Sequence, residues 1–303
     1  MITRNFLLYL SHQKHLRRWM ENSPAARKLT RRYIAGMTLE DELAVAKQLQ
    51  SHGIFIALDH LGENVTALSE ADGSITAYLR ALDEISSRKL PATISIKLTQ
   101  FGLDFSEHAC LENLRRLVAR AKEIGTRVEI DMESSVYTQR TLDLAIRVSQ
   151  EFGCLRCVIQ AYLYRSETDI ARMNELAIPV RLCKGAYNEP AEIAMPKKSD
   201  VDASYVRLMK QLFDHGNYPA FATHDDRMVT QALDYAKGHG TGAERFEFQM
   251  LYGIRRDLQK RVLDSGHRLR LYVPYGEAWY PYFVRRLAER PANVWFLVRS
   301  AGR

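Results

Sequence analysis

The sequence predicts a TIM-type (β/α)8 barrel behind a short helical extension, and three observations indicate this fold. Short β-branched runs alternate with helix-length segments, the number of such runs is eight, and no second compositional zone interrupts them. Strands that alternate with helices pair in parallel, and eight such units close into a barrel of about 250 residues. In this chain of 303 residues, we assign residues 1–50 to the extension and residues 51–303 to the barrel.

The predicted elements follow one another in a regular order. Residues 1–50 are basic and helical in pattern. The predicted strands are Ile54–Asp59, Thr93–Leu98, Arg127–Met132, Leu155–Ala161, Pro179–Cys183, Pro219–His224, Phe246–Leu251 and Leu269–Pro274. A helix-length segment follows each of the first seven strands, and Trp279–Arg290 supplies the eighth helix. The longest connection, Gly185–Asp202, follows the fifth strand, and long ordered loops in compact domains are commonly functional.

Composition and charge limit the classes of function. The chain is 46% hydrophobic and 26% charged, with a formal net charge of +7. It has no run of about 18 apolar residues that could span a membrane, so we expect a cytoplasmic protein. Basic residues crowd the first 35 positions, a pattern typical both of a solvated helix and of a helix on the inner face of the cell membrane. No nucleic-acid-binding motif accompanies the charge.

The four cysteines are too few and too scattered for a disulfide framework, which indicates a reducing compartment. Cys154 and Cys157 form one C-x-x-C pair. A zinc site of this type needs a second pair, and the motif runs into a strand, so we interpret these cysteines as structural.

Active sites of (β/α)8 barrels lie at the carboxyl ends of the strands. Many polar residues fall at the predicted strand ends: Asp59, His60, Lys97, Asp131, Glu133, Gln160, Arg181, Lys184, Thr223, His224, Asp225, Gln249, Tyr272 and Tyr275. This concentration predicts a polar site at that end of the barrel.

Two arginines in the last helix indicate either a small anionic, partly apolar ligand or a surface pair on an amphipathic helix. Arg285 and Arg286 follow four aromatic residues in Trp279–Arg290, and each guanidinium can bind a carboxylate through two hydrogen bonds. Lys97 and Asp131 lie within apolar strands, where charges are rarely left unpaired. They form either a structural pair or, with the two arginines, a cage in which three cations hold one carboxylate.

A second, larger anion is indicated at the end of the fifth strand. Arg181 and Lys184 precede Gly185, which allows the backbone to approach a ligand closely. Thr223 and His224 add a hydroxyl and an imidazole to the same rim. No G-x-G-x-x-G or G-x-x-x-x-G-K-[ST] motif follows a strand, so a dinucleotide would have to bind at the barrel rim.

The chain resembles the proline dehydrogenase family across residues 50–300. The motifs that carry the resemblance are Ser95-Ile-Lys-Leu, Glu129-Ile-Asp-Met-Glu, Gln160-Ala-Tyr, Arg181-Leu-Cys-Lys-Gly-Ala-Tyr, Phe221-Ala-Thr-His, Phe246-Glu-Phe-Gln-Met-Leu-Tyr-Gly and Tyr282-Phe-Val-Arg-Arg-Leu-Ala-Glu-Arg-Pro. The length resembles that of the compact monofunctional bacterial members. The resemblance implies FAD-dependent oxidation of L-proline to 1-pyrroline-5-carboxylate, with electrons passed to a membrane quinone.

The resemblance also implies roles for individual residues. L-Proline's carboxylate would lie between Lys97, Arg285 and Arg286, with Tyr272 and Tyr275 near its ring and Tyr272 selecting against hydroxyproline. Asp131 would organise the site beside Lys97, Arg181 would lie near the flavin atom that accepts hydride, and Glu289 would form an ion pair within the site. FAD would be held by Met132, Gln160, Arg181, Lys184, Gly185, Ala186, Thr223 and His224.

This sequence departs from the commonest family pattern at two positions. Cys183 stands where valine is frequent, and Asp225 stands where asparagine is frequent. Asp225 either weakens FAD binding slightly, because it adds negative charge near the cofactor, or reflects the compact subgroup of the family.

Two other functions are open at the level of sequence. A metal-dependent hydrolase would use Asp59, His60, Asp131, His224 and Asp225 as ligands, although the H-x-H pair usual for such sites is absent. A non-enzymatic basic membrane-surface protein would account for the positive charge, but it would leave the polar strand ends without a role.

Overall fold

Eight parallel strands close into a barrel, which confirms the predicted fold class. The structure, a computed structural model, describes residues 30–62, 65 and 67–288, except for the side chains of residues 285–288. Each strand pairs with the next one along the chain, and the eighth strand pairs with the first. Because all pairs are parallel, the carboxyl ends of the strands meet at one end of the barrel.

The strands agree closely with the prediction. They are β1 Phe55–His60, β2 Ala92–Ile96, β3 Val128–Ile130, β4 Leu155–Gln160, β5 Val180–Cys183, β6 Ala220–Ala222, β7 Glu247–Leu251 and β8 Leu269–Tyr275. The prediction extended the second strand to Leu98, where a 3-10 helix, Leu98–Phe101, begins instead. This short helix ends at Gly102, whose φ of 88° is a backbone conformation that favours glycine.

A helix follows every strand, as the sequence predicts. The helices are α1 Leu39–Gln50, α2 Leu68–Ser87, α3 Glu107–Glu123, α4 Ser135–Phe152, α5 Ser166–Glu175, α6 Lys198–His215, α7 Asp226–Gly238, α8 Arg256–Asp264 and α9 Trp279–Ala288. The last two residues predicted for the final helix, 289 and 290, lie outside the described residues.

Helix α1 precedes the barrel and covers the seam that closes it. Thr38 and Asp41 form a capping box: the Asp41 N–H donates to Thr38 Oγ1 at 3.1 Å, and the Thr38 N–H donates to the Asp41 carboxylate at 3.0 Å. The helix packs against both β1 and β8. It is the described part of the predicted extension, and the assignment of residues 1–50 as a unit stays a prediction.

The barrel interior contains a network of buried charges. Arg156 Nη1 lies 2.5 Å from a Glu247 oxygen and 3.2 Å from a Glu129 oxygen, and all three side chains are fully buried. Arg270 Nε contacts Glu247 at 2.8 Å, and Arg181 Nη1 lies 3.3 Å from Glu129. Burial raises the pKa of Glu247, but Arg270 and Arg156 outweigh burial and hold that pKa well below its ordinary value. Both glutamates are therefore anions at neutral pH.

The sequence analysis did not identify Arg156, Glu247 or Arg270 as partners. The sequence did contain an indication that their side chains point into the barrel, because each of the three residues stands between apolar residues within a strand. Successive side chains of a strand point to opposite faces. A charged residue flanked by two helix-facing apolar residues in a barrel strand therefore points into the interior.

We expect Arg156→Met to destabilise the protein by about 3–5 kcal/mol, because it leaves two buried carboxylates short of a partner. The control is Arg115→Met, which removes ion pairs with Glu112 and Glu151 whose side chains are half-exposed. This variant should lower the free energy of unfolding by about 1 kcal/mol or less. Urea unfolding at pH 7 measures both free energies. Equal losses in the two variants would contradict a structural role for the buried network.

Candidate active site

Asp131 is the centre of the polar site at the carboxyl end of the barrel. It follows β3, and its carboxylate accepts hydrogen bonds from Ser95 Oγ at 2.8 Å and from the Tyr272 hydroxyl at 2.8 Å. Lys97 Nζ donates to the same carboxylate at 3.3 Å, and Arg181 Nη2 makes a direct ion pair with it. Two donors thus come from β2 and the residue after it, and one each from β5 and β8, while the acceptor follows β3.

The charges around Asp131 determine its ionisation. Burial raises the pKa of Asp131, but the Arg181 and Lys97 cations and the hydrogen bonds from Tyr272 and Ser95 outweigh burial. The pKa therefore lies below its ordinary value, and the group is a carboxylate at neutral pH. Asp131 in turn holds the Arg181 guanidinium, which lies over the Tyr272 ring at 5.6 Å from its centroid.

Lys97 and Asp131 form an ion pair, which is consistent with both sequence-based interpretations. Lys97 Nζ also lies 3.5 Å from Asp59, a buried carboxylate at the end of β1. The alternative, a cage with Arg285 and Arg286, stays a prediction. Both arginines belong to α9, but their side chains, like the whole of Glu289, lie outside the described residues.

The two predicted substrate-facing tyrosines differ in their surroundings. Tyr272 is half-buried, and burial and the nearby Asp131 carboxylate hold its pKa well above the ordinary value. It is therefore a hydroxyl donor over the whole neutral range. Tyr275 is buried, and its ring lies 5.1 Å from the His60 ring. Only Tyr272 contacts Asp131 directly, so the two tyrosines would act on a ligand in different ways.

The predicted cofactor residues lie on the rim formed by β3 to β6. Lys184 Nζ contacts Asp202 at 2.5 Å and Asp225 at 2.8 Å. Gly185 has a φ of +115°, and a Cβ at this position would lie 2.2 Å from a carbon of the Tyr162 ring. A side chain cannot be added there without displacing the ring. The backbone at Gly185 is therefore fixed by packing as well as by its conformation.

The other predicted cofactor residues have defined partners. His224 Nε2 accepts a hydrogen bond from the Leu251 N–H at 2.8 Å, so a neutral His224 ring carries its proton on Nδ1. Thr223 Oγ1 accepts from the Asp225 N–H at 3.1 Å, and Gln160 Nε2 donates to the Glu133 carbonyl at 3.0 Å. Met132 is buried and Ala186 is exposed.

The sequence analysis missed Glu189, which anchors the long loop after β5. Its carboxylate accepts from the Ser135 N–H at 2.8 Å and from the Ser135 hydroxyl at 2.5 Å, at the first residue of α4. Negative charge is favourable at a helix N-terminus. The two residues are 54 positions apart, and nothing in the local sequence marks this contact.

The geometry does not favour the metal-hydrolase alternative. In the part of the chain that the structure describes, no three His, Cys, Asp or Glu side chains are grouped closely enough to hold a metal ion. Asp131 is already bound by Arg181 and Lys97, and Asp225 is bound by Lys184.

A search of the described residues for membrane-spanning helices found none with the length and apolar character that a span requires.

Comparisons with known proteins give one consistent result. The proline dehydrogenase family model matches residues 43–299. The chain is 40% identical to proline dehydrogenase 1 of Bacillus subtilis strain 168 over 297 residues, 98% of each protein. It is 40% identical to the proline dehydrogenase of Deinococcus radiodurans over 277 residues, 90% of this chain and 89% of the relative.

Solved structures agree with this result. The crystal structure of proline utilization A from Bdellovibrio bacteriovorus is 28% identical and superposes with a TM-score of 0.81 over 86% of this chain. This chain spans 32% of that longer protein.

The fold and the charged site define a (β/α)8-barrel enzyme with its polar centre at the carboxyl ends of the strands. The chain belongs to the proline dehydrogenase family, which confirms the resemblance seen in its motifs. It is accordingly an oxidoreductase of proline catabolism.

We expect Asp131→Asn to destabilise the protein at pH 7, because Arg181 and Lys97 lose a shared carboxylate. The pKa of Asp131 is lowered by folding, so its ionic contribution is present above the unfolded pKa of about 3.9 and is lost as the pH falls through the folded pKa. The difference in unfolding free energy between wild type and variant should therefore shrink below about pH 3.9. Urea unfolding at several pH values measures it, with the exposed Asp72→Asn as control. A difference that stays constant would contradict the assigned ionisation.

Proposed function

We propose that this protein oxidises L-proline to 1-pyrroline-5-carboxylate with FAD as its cofactor and a membrane quinone as the electron acceptor. One observation carries the proposal: Ser95, Lys97, Arg181 and Tyr272 all contact the Asp131 carboxylate at the carboxyl end of the barrel. This group supplies fixed cations and a neutral hydroxyl where a barrel enzyme binds its ligand.

The rim residues fit an anionic dinucleotide. Lys184 offers an ammonium group, Thr223 a hydroxyl and His224 an imidazole. Gly185 has no side chain that would keep a ligand away from its backbone. These are groups that bind phosphate and ribose oxygens. Met132, Gln160 and Ala186 complete the set that we propose for FAD. The fit has one cost, because Lys184 is already paired with Asp202 and Asp225.

The proposed reaction removes two electrons and two protons from L-proline. When bound, FAD would accept the hydride that leaves ring carbon five, the carbon next to the nitrogen that does not bear the carboxylate, and the nitrogen would lose its proton as the C=N bond forms. Lys97, with Arg285 and Arg286, would hold the carboxylate of proline. Tyr272 and Tyr275 would pack near its ring.

Arg181 is the residue that we propose to act on the cofactor. Burial lowers the pKa of Arg181, but Asp131 and Glu129 outweigh burial and raise it above its ordinary value. The guanidinium is therefore a fixed cation, and a positive charge near a flavin ring stabilises the reduced anion. Asp131 would act through Arg181 and Lys97, because it fixes the position of both. Ordered cations of this kind require no rearrangement during the reaction.

The electron acceptor and the cellular location follow from the same proposal. A membrane quinone requires the protein to approach a lipid surface, and the basic residues among the first 35 would provide peripheral contact with the inner face of the cell membrane. Of these basic residues, the structure describes Arg31 and Arg32. The proposal of membrane contact therefore rests on the sequence.

Anaerobic absorbance spectroscopy tests the proposed reaction. The purified protein should show flavin bands between about 300 and 550 nm that bleach when L-proline is added. Lys97→Met should keep the bands but require about tenfold more proline for the same rate of bleaching, because a charged contact to the carboxylate is lost. The control Lys47→Met, on the exposed face of α1, should behave like wild type. Bands that proline does not bleach would contradict the substrate, and absence of bands after FAD is supplied would contradict the cofactor.

We expect Asp225→Asn to tighten FAD binding, because it removes one of the two carboxylates that neutralise Lys184. Asparagine can still cap α7, where Asp225 accepts from the Arg227 N–H at 3.1 Å. Since the pair is partly exposed to water, the Kd for FAD should fall by about twofold to fivefold. Flavin fluorescence titration of the FAD-free protein measures it. The matched control is Asp226→Asn, whose carboxylate contacts Arg261 instead. A weaker or unchanged affinity in Asp225→Asn would contradict a role for Lys184 in FAD binding.

A further inference from the structure

A cavity lies at the opposite end of the barrel from Asp131. It has a volume of about 770 Å³ and is lined by residues at the amino-terminal starts of the strands. The contributing segments include Phe55 in β1, the residues that lead into β2, β3 and β4, and Arg270 in β8. We call this cavity the amino-terminal mouth. Its volume is within the range of small-molecule sites, about 300–1,000 Å³.

Cationic side chains dominate the polar part of the amino-terminal mouth. Lys89, Arg127, Arg268 and Arg270 all line it. Arg270 is paired with Glu247. In the described part of the chain, by contrast, no carboxylate lies within ion-pair distance of Lys89, Arg127 or Arg268. Within the described residues, Arg268 donates to two neutral oxygens, the Tyr218 hydroxyl at 3.0 Å and the Glu244 carbonyl at 3.3 Å.

The nearest carboxylates are already engaged. Glu247 is shared between Arg156 and Arg270, and Glu129 is shared between Arg156 and Arg181. Both glutamates act on Arg127 at longer range, but neither forms an ion pair with it. Burial and the neighbouring Arg156 cation hold the pKa of Arg127 below its ordinary value. The amino-terminal mouth thus carries a surplus of positive charge.

Tyr218 fixes the positions of these cations. The guanidinium carbons of Arg127, Arg156 and Arg268 lie 5.5, 5.3 and 5.7 Å from the centroid of its ring. Its hydroxyl donates to Glu247 at 3.1 Å and accepts from Arg268. Tyr218 has a φ of 49°, a left-handed conformation that is unfavourable for a bulky residue and is found more often at functional sites. Three guanidinium groups thus surround one ring, those of Arg127 and Arg268 in the amino-terminal mouth and that of Arg156 in the barrel interior.

We propose that the amino-terminal mouth is a binding site for a small oxyanion with at least two negative charges, either a phosphate compound or a dicarboxylate. Arg127 and Arg268 would bind it, because guanidinium groups match both kinds of oxyanion through paired N–H donors. Leu90, Ile85 and Ile124 in the cavity wall would accommodate a short hydrocarbon part. The site is independent of the proposed proline oxidation.

Isothermal titration calorimetry with the FAD-loaded full chain tests this site. Pyrophosphate and succinate are titrated separately into wild type, Arg127→Gln and Arg116→Gln, at low ionic strength matched with sodium chloride. Arg116 is an exposed residue of α3 outside the cavity, so its variant removes the same charge from a surface that should not bind. At least one anion should bind wild type, Arg127→Gln should weaken that binding by about tenfold, and Arg116→Gln should leave it unchanged.

Comparison of anion binding by wild type, Arg127→Gln and Arg116→Gln shows whether the anion occupies the amino-terminal mouth. Equal binding by all three would overturn the proposal, because the anion would then occupy another site, such as the one proposed for FAD. Absence of binding of either anion to wild type would also overturn it. Stronger binding of pyrophosphate than of succinate would identify a phosphate ligand, and the reverse order a dicarboxylate. Arg268→Gln provides a second variant if Arg127→Gln does not fold, which circular dichroism shows, and it should give the same loss.

Discussion

The structure depends on the buried ion pairs that join five of the eight strands, β3, β4, β5, β7 and β8, inside the barrel. Glu129 is the central member, because its carboxylate contacts Arg156 and Arg181 on β4 and β5 and lies 3.7 Å from Arg270 on β8. Gln249 on β7 donates to the same carboxylate at 3.0 Å. An apolar barrel interior would be stable in any strand register that fills its volume. These ion pairs, in contrast, form in one strand register. Buried polar contacts of this kind can specify a unique arrangement as well as stabilise it.

The same network determines the geometry of the active site. Arg181 lies between two carboxylates, Glu129 inside the barrel and Asp131 at its carboxyl end. Its position is therefore set by the barrel interior and does not depend on a flexible loop. Sites supported on rigid strands are held more precisely than sites on loops. The loop after β5 is restrained in a different way, through the bond from Ser135 to Glu189.

Much of this arrangement could be predicted from the sequence. The alternation of apolar runs and helical segments located all eight strands, because the pattern is local. The polar strand ends identified Lys97, Asp131, Arg181 and Tyr272, since parallel strands bring their carboxyl ends together. The partners inside the barrel were not predictable in the same way. Arg156 and Glu247 are 91 positions apart, and only the closed barrel brings them into contact.

Two further features lay beyond local patterns. The packing of α1 against β1 and β8 depends on where the barrel closes, which the helix's own residues do not encode. The left-handed backbone falls on Tyr218, a bulky residue, although Gly216 and Asn217, the residue types that adopt it most readily, stand just before it.

The closing seam between β1 and β8 has a consequence for how the chain folds. This seam aligns six residue pairs, from Phe55 with Arg270 to His60 with Tyr275, while the β1 and β2 pairing aligns four. Arg270 Nη1 also donates to the Ile56 carbonyl at 2.9 Å, across 214 positions of sequence. Contacts between distant segments slow folding, because the loop must be ordered before they form. During synthesis, β1 therefore emerges from the ribosome long before its partner β8, and the barrel cannot close until β8 has been translated.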